Sequence, residues 1–216
     1  MLRLDLHIHS EYSTDSESQV EEIIRSAIEM GLNGIAITDH NSIEGYYRGK
    51  EYLERSGHEF LLIPGIEIST IKGHLIALGV HESIQPNMSV EESLAQIQDM
   101  GGISILPHPF HPFRHSIGSV SYSASAVEVF NARCISEISN QRAVKAAAKH
   151  GLPPVAGSDA HYIGDIGHGV TEIEAQHSVS SILEGIRLGS TRIDGRKVPR
   201  RRYITNRIQG IKKRYL

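Results

Sequence analysis

Short apolar segments alternate with helical ones along most of this chain, and nearly every apolar segment runs out into a histidine or a carboxylate. Leu2 to Ile8 reads as a first strand. Val20 to Met30 carries apolar residues at 20, 23, 24, 27, 28 and 30, the spacing of one helical face, with Ser18 as N-cap and Gly31 as stop. Gly34 to Thr38 is a buried strand, and Ser42 to Arg55 is helical with Gly57 beyond it. Phe60 to Ile63 and Gly65 to Ser69 are extended pieces on either side of Pro64, and His74 to Val80 is a further strand. Ser89 with Glu92 forms a capping box for a helix to Met100. Ile103 to Leu106, Ala126 to Phe130 and Pro154 to Ala156 complete the strands, and Ser136 to His150 and Ser178 to Leu188 complete the helices. This alternation predicts an α/β protein with a mainly parallel sheet, open or closed. Right-handed crossovers then gather the strand ends on one rim, where ligands bind in such folds.

The residues at those ends form one chemical set. His7 and His9 leave the first strand two residues apart, on one side of an extended segment. Asp15 follows on the loop, Asp39 and His40 close the second strand, and Glu67 lies on the third. His74 opens the fourth, His108 follows the fifth between two prolines, Glu128 and Asn131 lie on and after the sixth, and Asp159 and His161 follow the seventh. A converging set of imidazoles and carboxylates is strongly unfavourable to bury without cations. The set contains nitrogen and oxygen but no sulfur, which suits zinc, manganese or iron. One catalytic zinc needs three protein ligands, so about nine candidates point to two or three ions sharing bridging carboxylates. Such clusters hydrolyse phosphate esters by activating a bridging water.

Composition supports this reading. Thirteen histidines stand against four phenylalanines and no tryptophan. The lone cysteine, Cys134, excludes a disulfide framework and any thiolate cluster, and predicts a reducing, cytoplasmic setting. The apolar runs are too short for a transmembrane helix, and the early polar residue Asp5 leaves no room for a signal peptide. Residues 192–216 hold ten Lys or Arg and one acid, Asp194, against 12 basic and 24 acidic residues in the rest of the chain. An acidic body with a basic end suggests metal carboxylates in the one and an anionic partner for the other.

The segments Asp5-Leu6-His7-Ile8-His9-Ser10, Ile37-Thr38-Asp39-His40-Asn41, Gly65-Ile66-Glu67-Ile68 with Gly73-His74-Leu75, Pro107-His108-Pro109 and Gly157-Ser158-Asp159-Ala160-His161 resemble, in order, the motifs of the PHP (polymerase and histidinol phosphatase) superfamily of metal-dependent phosphoesterases. The resemblance covers residues 2 to about 162 and is closest to stand-alone members. It implies a distorted (β/α)7 barrel, here one domain over residues 1–216, with the metal site at the C-terminal rim. Carried over by position, His7, His9, Glu67 and Asp159 would hold one metal. Glu67, as a bridge, would hold a second with His74 and His108. Asp15, His40 and His161 would hold a third. The implied chemistry is hydrolysis of a phosphate ester of a nucleotide or oligonucleotide end by a metal-bridging hydroxide, with Glu67 and Asp159 at its centre. A histidinol-phosphate-type phosphatase, a non-catalytic nucleic-acid-binding subunit and a C–N bond hydrolase are the alternatives.

Other residues take supporting roles. Arg114, on the loop after His108, is a candidate phosphate grip, and Arg133 has similar standing. His168 is a candidate proton donor to the leaving group. Glu128 is read as the acceptor that orients a ligand histidine, and Asp39 as a support for the first motif or for His40. His111 and His115 are read as simple loop histidines. The basic segment, a tail or helix at about 192–216, either contacts nucleic acid or docks through Ile204, Ile208, Ile211 and Leu216.

Overall fold

A computed structural model describes residues 1–112, 115–120 and 123–199. Its strands are β1 (Leu2–Ile8), β2 (Gly34–Ile37), β3 (Leu61–Ser69), β4 (His74–Leu78), β5 (Ile103–Leu106), β6 (Ala126–Asn131), β7 (Pro154–Gly157), β8 (Gly169–Ile173) and β9 (Thr191–Gly195). The helices are α1 (Val20–Glu29), α2 (Glu44–Ser56), α3 (Val90–Asp99), α4 (Glu137–His150) and α5 (Val179–Arg187).

The strands follow one another in the order β7-β6-β5-β4-β3-β2-β1-β8-β9. The sheet then curls until the segment after β7 meets β1. Asp159 donates its N–H to the His7 carbonyl and His9 donates to the Ala160 carbonyl, both at 2.8 Å. This closes a barrel, as expected, but the sheet is mixed rather than mainly parallel. β3 pairs antiparallel with β4, and β4 with β5. The cause is length: only residues 70–73 join β3 to β4, and a parallel return needs a dozen or more residues. His74 therefore opens a strand at the rim where its parallel neighbours end. β8 and β9, unforeseen, pair antiparallel beside β1. The basic segment thus begins inside the sheet, and a tail or helix starting at 192 is corrected to a strand through Gly195. The residues from 200 on, with the docking isoleucines, lie outside the described residues.

Two local expectations also change. Pro64 does not interrupt β3, because the strand changes partner there. Its last pair with β2 is Ile37–Pro64 and its first pair with β4 is Gly65–Leu78. Ser18 does not cap α1; Gln19 holds that position without a side-chain bond, and the Ser18 hydroxyl donates instead to the His161 carbonyl at 3.1 Å. The other terminal signals act as read. Ser89 and Glu92 form the capping box, and Gly57 ends α2 in left-handed conformation.

The barrel interior is filled by Leu4, Leu6, Ala36, Ile63, Ile76 and Ile105, and α5 adds Ile182, Leu183 and Ile186 beside Leu78, Ile103 and Ile173. Those last strand residues lie at the end opposite the ligand-bearing rim, so α5 plugs that end. On the outside, α1 packs against β2, α2 against β3 and β2, α3 against β5 and β4, and α4 against β6. No helix among the described residues is long and apolar enough to cross a membrane.

Candidate metal centre

Strand alternation delivers Glu67 to the interior. Leu61 and Ile63 face the barrel core, and Glu67 stands on the same face of β3, above them. Two neighbours need more than alternation. In β1 the register with β2 slips between Asp5 and Ile8, a bulge that turns the chain from Leu4 and Leu6 in the core to His7 and His9 in the site. In β6 a second slip, between Glu128 and Phe130, lets both Glu128 and Asn131 reach the site. His108 (φ 30°) and Asp159 (φ 55°) adopt left-handed backbone, which costs a non-glycine residue about 1–3 kcal/mol and clusters at functional sites.

The Glu67 carboxylate is the hub, about 1 % exposed. Its Oε1 lies 3.0 Å from His74 Nδ1 and 3.2 Å from His108 Nε2. Its Oε2 lies 3.2 Å from His9 Nε2, 3.3 Å from His40 Nδ1 and 3.5 Å from His7 Nε2. Asp159 Oδ1 stands 3.4 Å from His161 Nδ1 and 3.6 Å from His9 Nε2. Asp15 Oδ2 stands 2.8 Å from His161 Nε2 and 3.7 Å from His40 Nε2. Among the described residues, four groups have ligand atoms close enough to hold an ion: His9, Asp15, His40 and His161; His7, His9 and Asp159; His7, Glu67 and His108; and His40, Glu67 and His74. All nine sequence-predicted ligands are therefore brought together.

Hydrogen bonding shows that these groups fit cations. The Ser13 hydroxyl donates to Asp39 Oδ1 at 3.0 Å and accepts from the His40 N–H at 2.9 Å. Its remaining lone pair faces His9 Nδ1 at 3.0 Å, so His9 donates there and turns the Nε2 lone pair inward. That lone pair meets a Glu67 oxygen at 3.2 Å and His7 Nε2 at the same distance. Acceptor facing acceptor is repulsive unless a proton or a cation lies between. Burial lowers the His9 pKa to about 4, which leaves this imidazole neutral. His7 differs. Burial opposes its charge, but Asp159, Glu128 and Glu67 outweigh burial and raise its pKa well above the ordinary value. Burial works against the Glu67 charge too, yet His74 and His7 hold its pKa well below the usual range. Burial, aided by His9 and Arg133, lowers His161 to about 3.

A supporting layer fixes the ligands. Glu128 Oε1 takes His7 Nδ1 at 3.0 Å, as expected of it, and Oε2 accepts the His108 N–H at 2.7 Å. Asn131 donates from one amide nitrogen to Glu128 at 2.9 Å and Asp159 at 3.1 Å, and is itself pinned by Asn140. Asp39 accepts from the Ser10 N–H and hydroxyl, both at 2.6 Å, confirming a supporting place. Ser16 and Ser18 both donate to the His161 carbonyl, at 3.1 Å. Asn131 is named among the strand-end residues without a role; Ser13 and Asn140 were missed in the sequence, where a neutral polar residue beside a motif carries no charge or spacing signal.

Asp15, His40, Glu67, His74, His108, His115 and Arg133 line a cavity of about 200 Å³ above the hub. Arg133 is the one Lys or Arg among the described lining residues; its guanidinium reaches His161 Nδ1 and lies 3.6 Å from Asp159 Oδ1. His115, expected to be a simple loop residue, stands at the rim with its ring 5.5 Å from that of His74. His111 is buried, its N–H donating to the His108 carbonyl. His168, the candidate proton donor, is buried at the start of β8 and is not among the lining residues. Arg114 lies outside the described residues.

Comparison with known proteins agrees with the geometry. The model of the PHP domain matches residues 5–137, and that of a PHP-associated segment matches residues 137–191. An uncharacterised protein of Methanocaldococcus jannaschii is 35% identical over 143 residues, 61% of this chain and 82% of that protein. The Escherichia coli 5′-3′ exoribonuclease Rnm is 36% identical over 80 residues, 35% of this chain and 27% of the enzyme. In structure, a two-domain Bacteroides vulgatus protein containing a predicted PHP-like metal-dependent phosphoesterase superposes with a TM-score of 0.74 at 18% identity, over 90% of this chain and 65% of that one. The motif order, the barrel and the match over more than half the chain place this protein in the PHP domain family of metal-dependent phosphoesterases.

Proposed function

We propose that the protein hydrolyses a phosphate ester of a nucleotide or oligonucleotide end, using two or three divalent ions of zinc, manganese or iron. The observation that carries this reading is Glu67, one buried carboxylate met by five imidazoles within 3.5 Å. His7, His9 and Asp159 would hold one ion, Glu67 with His74 and His108 a second, and Asp15, His40 and His161 a third. When bound, these ions would supply an activated water and a clamp for phosphoryl oxygens.

The chain's own residues do the rest. Glu128 and Ser13 orient His7 and His9 by accepting at their outward nitrogens, which turns the inward nitrogens toward the site. Arg133 presents N–H donors to the cavity, where they match the oxygens of a phosphate. The buried floor limits the water that competes with the phosphoryl group. Relatives include an exoribonuclease and, in Eggerthella lenta, a phosphoribosyl 1,2-cyclic phosphate 1,2-diphosphodiesterase, which supports a nucleotide-like substrate. The buried Cys134 supports a cytoplasmic location.

The test is a panel of p-nitrophenyl phosphate, bis(p-nitrophenyl) phosphate, histidinol phosphate, nucleoside 3′,5′-bisphosphates and phosphorylated oligonucleotides, with manganese and with zinc. Turnover of the nucleotide and oligonucleotide esters, and not of histidinol phosphate, is expected. Turnover of histidinol phosphate alone would move the assignment to that branch. Activity on amides or lactams without any on phosphate esters would overturn the reading.

A further inference from the structure

We propose that the short segment after β9, from Gly195 to Val198, is a strap that positions Arg133 for the phosphate of the substrate. This rests on the reading of Arg133 as the phosphate grip and adds to it what aims that grip. Arg133 stands on the loop after β6, and a long side chain can be aimed only as well as the peptide that carries it. The Ala132–Arg133 peptide is held at both ends. Its carbonyl, on Ala132, accepts the Val198 N–H at 3.0 Å, and its N–H, on Arg133, donates to Asn131 Oδ1 at 3.0 Å. The peptide group is planar, so one bond would let the plane turn about that contact, while two opposed bonds fix it.

The strap is built to lie close. Gly195 ends the β8–β9 pairing opposite Gly169. A Cβ on Gly195 would lie 2.4 Å from the Phe130 ring and 2.9 Å from the His168 carbonyl, so any side chain there would lift the strap off the end of β6. Arg196 then donates its N–H to the His168 carbonyl at 2.8 Å, two residues before Val198 reaches Ala132. Lys197, between them, pairs with Glu137 at the start of α4. That pair is partly exposed and open to screening, so the backbone bonds do most of the holding.

The place where the strap ends points to function. Arg133 is the one Lys or Arg among the described residues that line the cavity, and the strap grips the peptide that carries it. Aim matters there because another anion is within reach: Asp159 Oδ1 lies 3.6 Å from the guanidinium. Turning the peptide plane would swing the side chain between that carboxylate and the cavity. The bonds of the strap go to the carbonyls of His168 and Ala132, and neither residue belongs to a ligand group. Its loss should therefore be felt by the phosphate and not by the ions.

The test uses the metal-loaded full chain. Val198→Pro removes the N–H that holds the peptide, Val198→Ala keeps it, Gly195→Ala lifts the strap, and Lys197→Ala removes only the ion pair. Each is measured for KM and kcat on p-nitrophenyl phosphate, for calorimetric affinity for inorganic phosphate, and for metal content. Val198→Pro and Gly195→Ala are also combined with Arg133→Ala. Both strap variants are expected to raise KM and weaken phosphate binding by about tenfold, with kcat within about threefold and metal content unchanged. Val198→Ala and Lys197→Ala are expected to stay within about twofold of the parent. In the Arg133→Ala background the strap variants should add less than about twofold, because both changes act through one guanidinium. Should Val198→Pro fail to fold, Gly195→Ala decides by the same coupling. Fully additive losses, unchanged phosphate affinity in a folded strap variant, or loss of metal would each overturn the proposal. If Arg133→Ala binds phosphate as the parent does, Arg133 is no grip and the proposal falls with it, while turnover still upholds the phosphoesterase reading. If no phosphate ester is hydrolysed, that reading falls, and phosphate calorimetry still decides the role of the strap.

Discussion

At one end of the barrel, Leu78, Ile103 and Ile173 meet Ile182, Leu183 and Ile186 of α5 in an apolar plug. At the other, the rim carries six imidazoles and three carboxylates. Both ends use inward-facing positions, and the difference lies in how well local preferences are obeyed. The plugged end needs only alternation and small residues where the helix comes close; a Cβ on Gly79 would lie 2.5 Å from Leu183 Cδ1. The metal end breaks register twice, in β1 and β6, sets His108 and Asp159 in left-handed backbone, and buries Glu67 and Asp159. Proteins depart from local rules where function requires it, and here the departures gather on one rim.

The sharpest way to break the comparison is at the hub. Glu67→Ala is expected to lower turnover by at least roughly a hundredfold, since it removes the one carboxylate shared by two ligand groups. His9→Ala, shared by two other groups, is expected to do the same. Steady-state kinetics with metal analysis and circular dichroism check both. Unchanged rates in a folded variant would put the chemistry elsewhere.

That hub was legible in the sequence because imidazoles and carboxylates announce themselves, and because their order along the chain matched a known motif set. What stayed hidden acts by geometry. Ser13 is an ordinary loop serine until its three hydrogen-bond partners are seen. β8 (Gly169–Ile173) is short, and β9 (Thr191–Gly195) is largely exposed and carries two charges, so neither shows an apolar run. The mixed sheet follows from the brevity of one turn, residues 70–73, rather than from any strand's composition. A serine before an apolar helix read as a cap, but the His161 carbonyl competes for its hydroxyl.

Ser13→Ala tests the supporting layer. It takes the acceptor from His9 Nδ1 and from the His40 N–H while leaving every ligand in place. Losing such a partner is expected to weaken metal affinity by about 10- to 100-fold. Competition with a chelator of known affinity measures this, and an unchanged affinity would mean that His9 is oriented by its ion alone.

Proton release separates His7 from His9. His9 and His161, at about 4 and about 3, are already neutral at pH 7 and have no proton to give. His7 and His40 are raised, so the metal-free chain holds protons there that a cation must displace. Affinity should therefore rise with pH from the ordinary histidine range up to those raised values, by about tenfold per unit for each proton released. Calorimetric titrations in buffers of different ionisation enthalpy count the protons. A count of zero at pH 7 would mean that neither raised imidazole is protonated before the metal arrives.

The smallest expected effect comes from the plugged end. Ile186 is fully buried in the α5 plug. Ile186→Val removes one methylene and leaves a void that the surroundings fill only in part, a loss of about 0.5–1.5 kcal/mol. For a chain of this size each kcal/mol lowers the melting temperature by about 2–4 °C. The plug has no bond to any ligand, so metal content and kcat below the transition should match the parent. Thermal unfolding with kinetics on the same sample checks both halves. A fall in kcat with little change in melting temperature would show that the plug sets the position of the ligands, and that the two ends of the barrel are mechanically coupled rather than separately built.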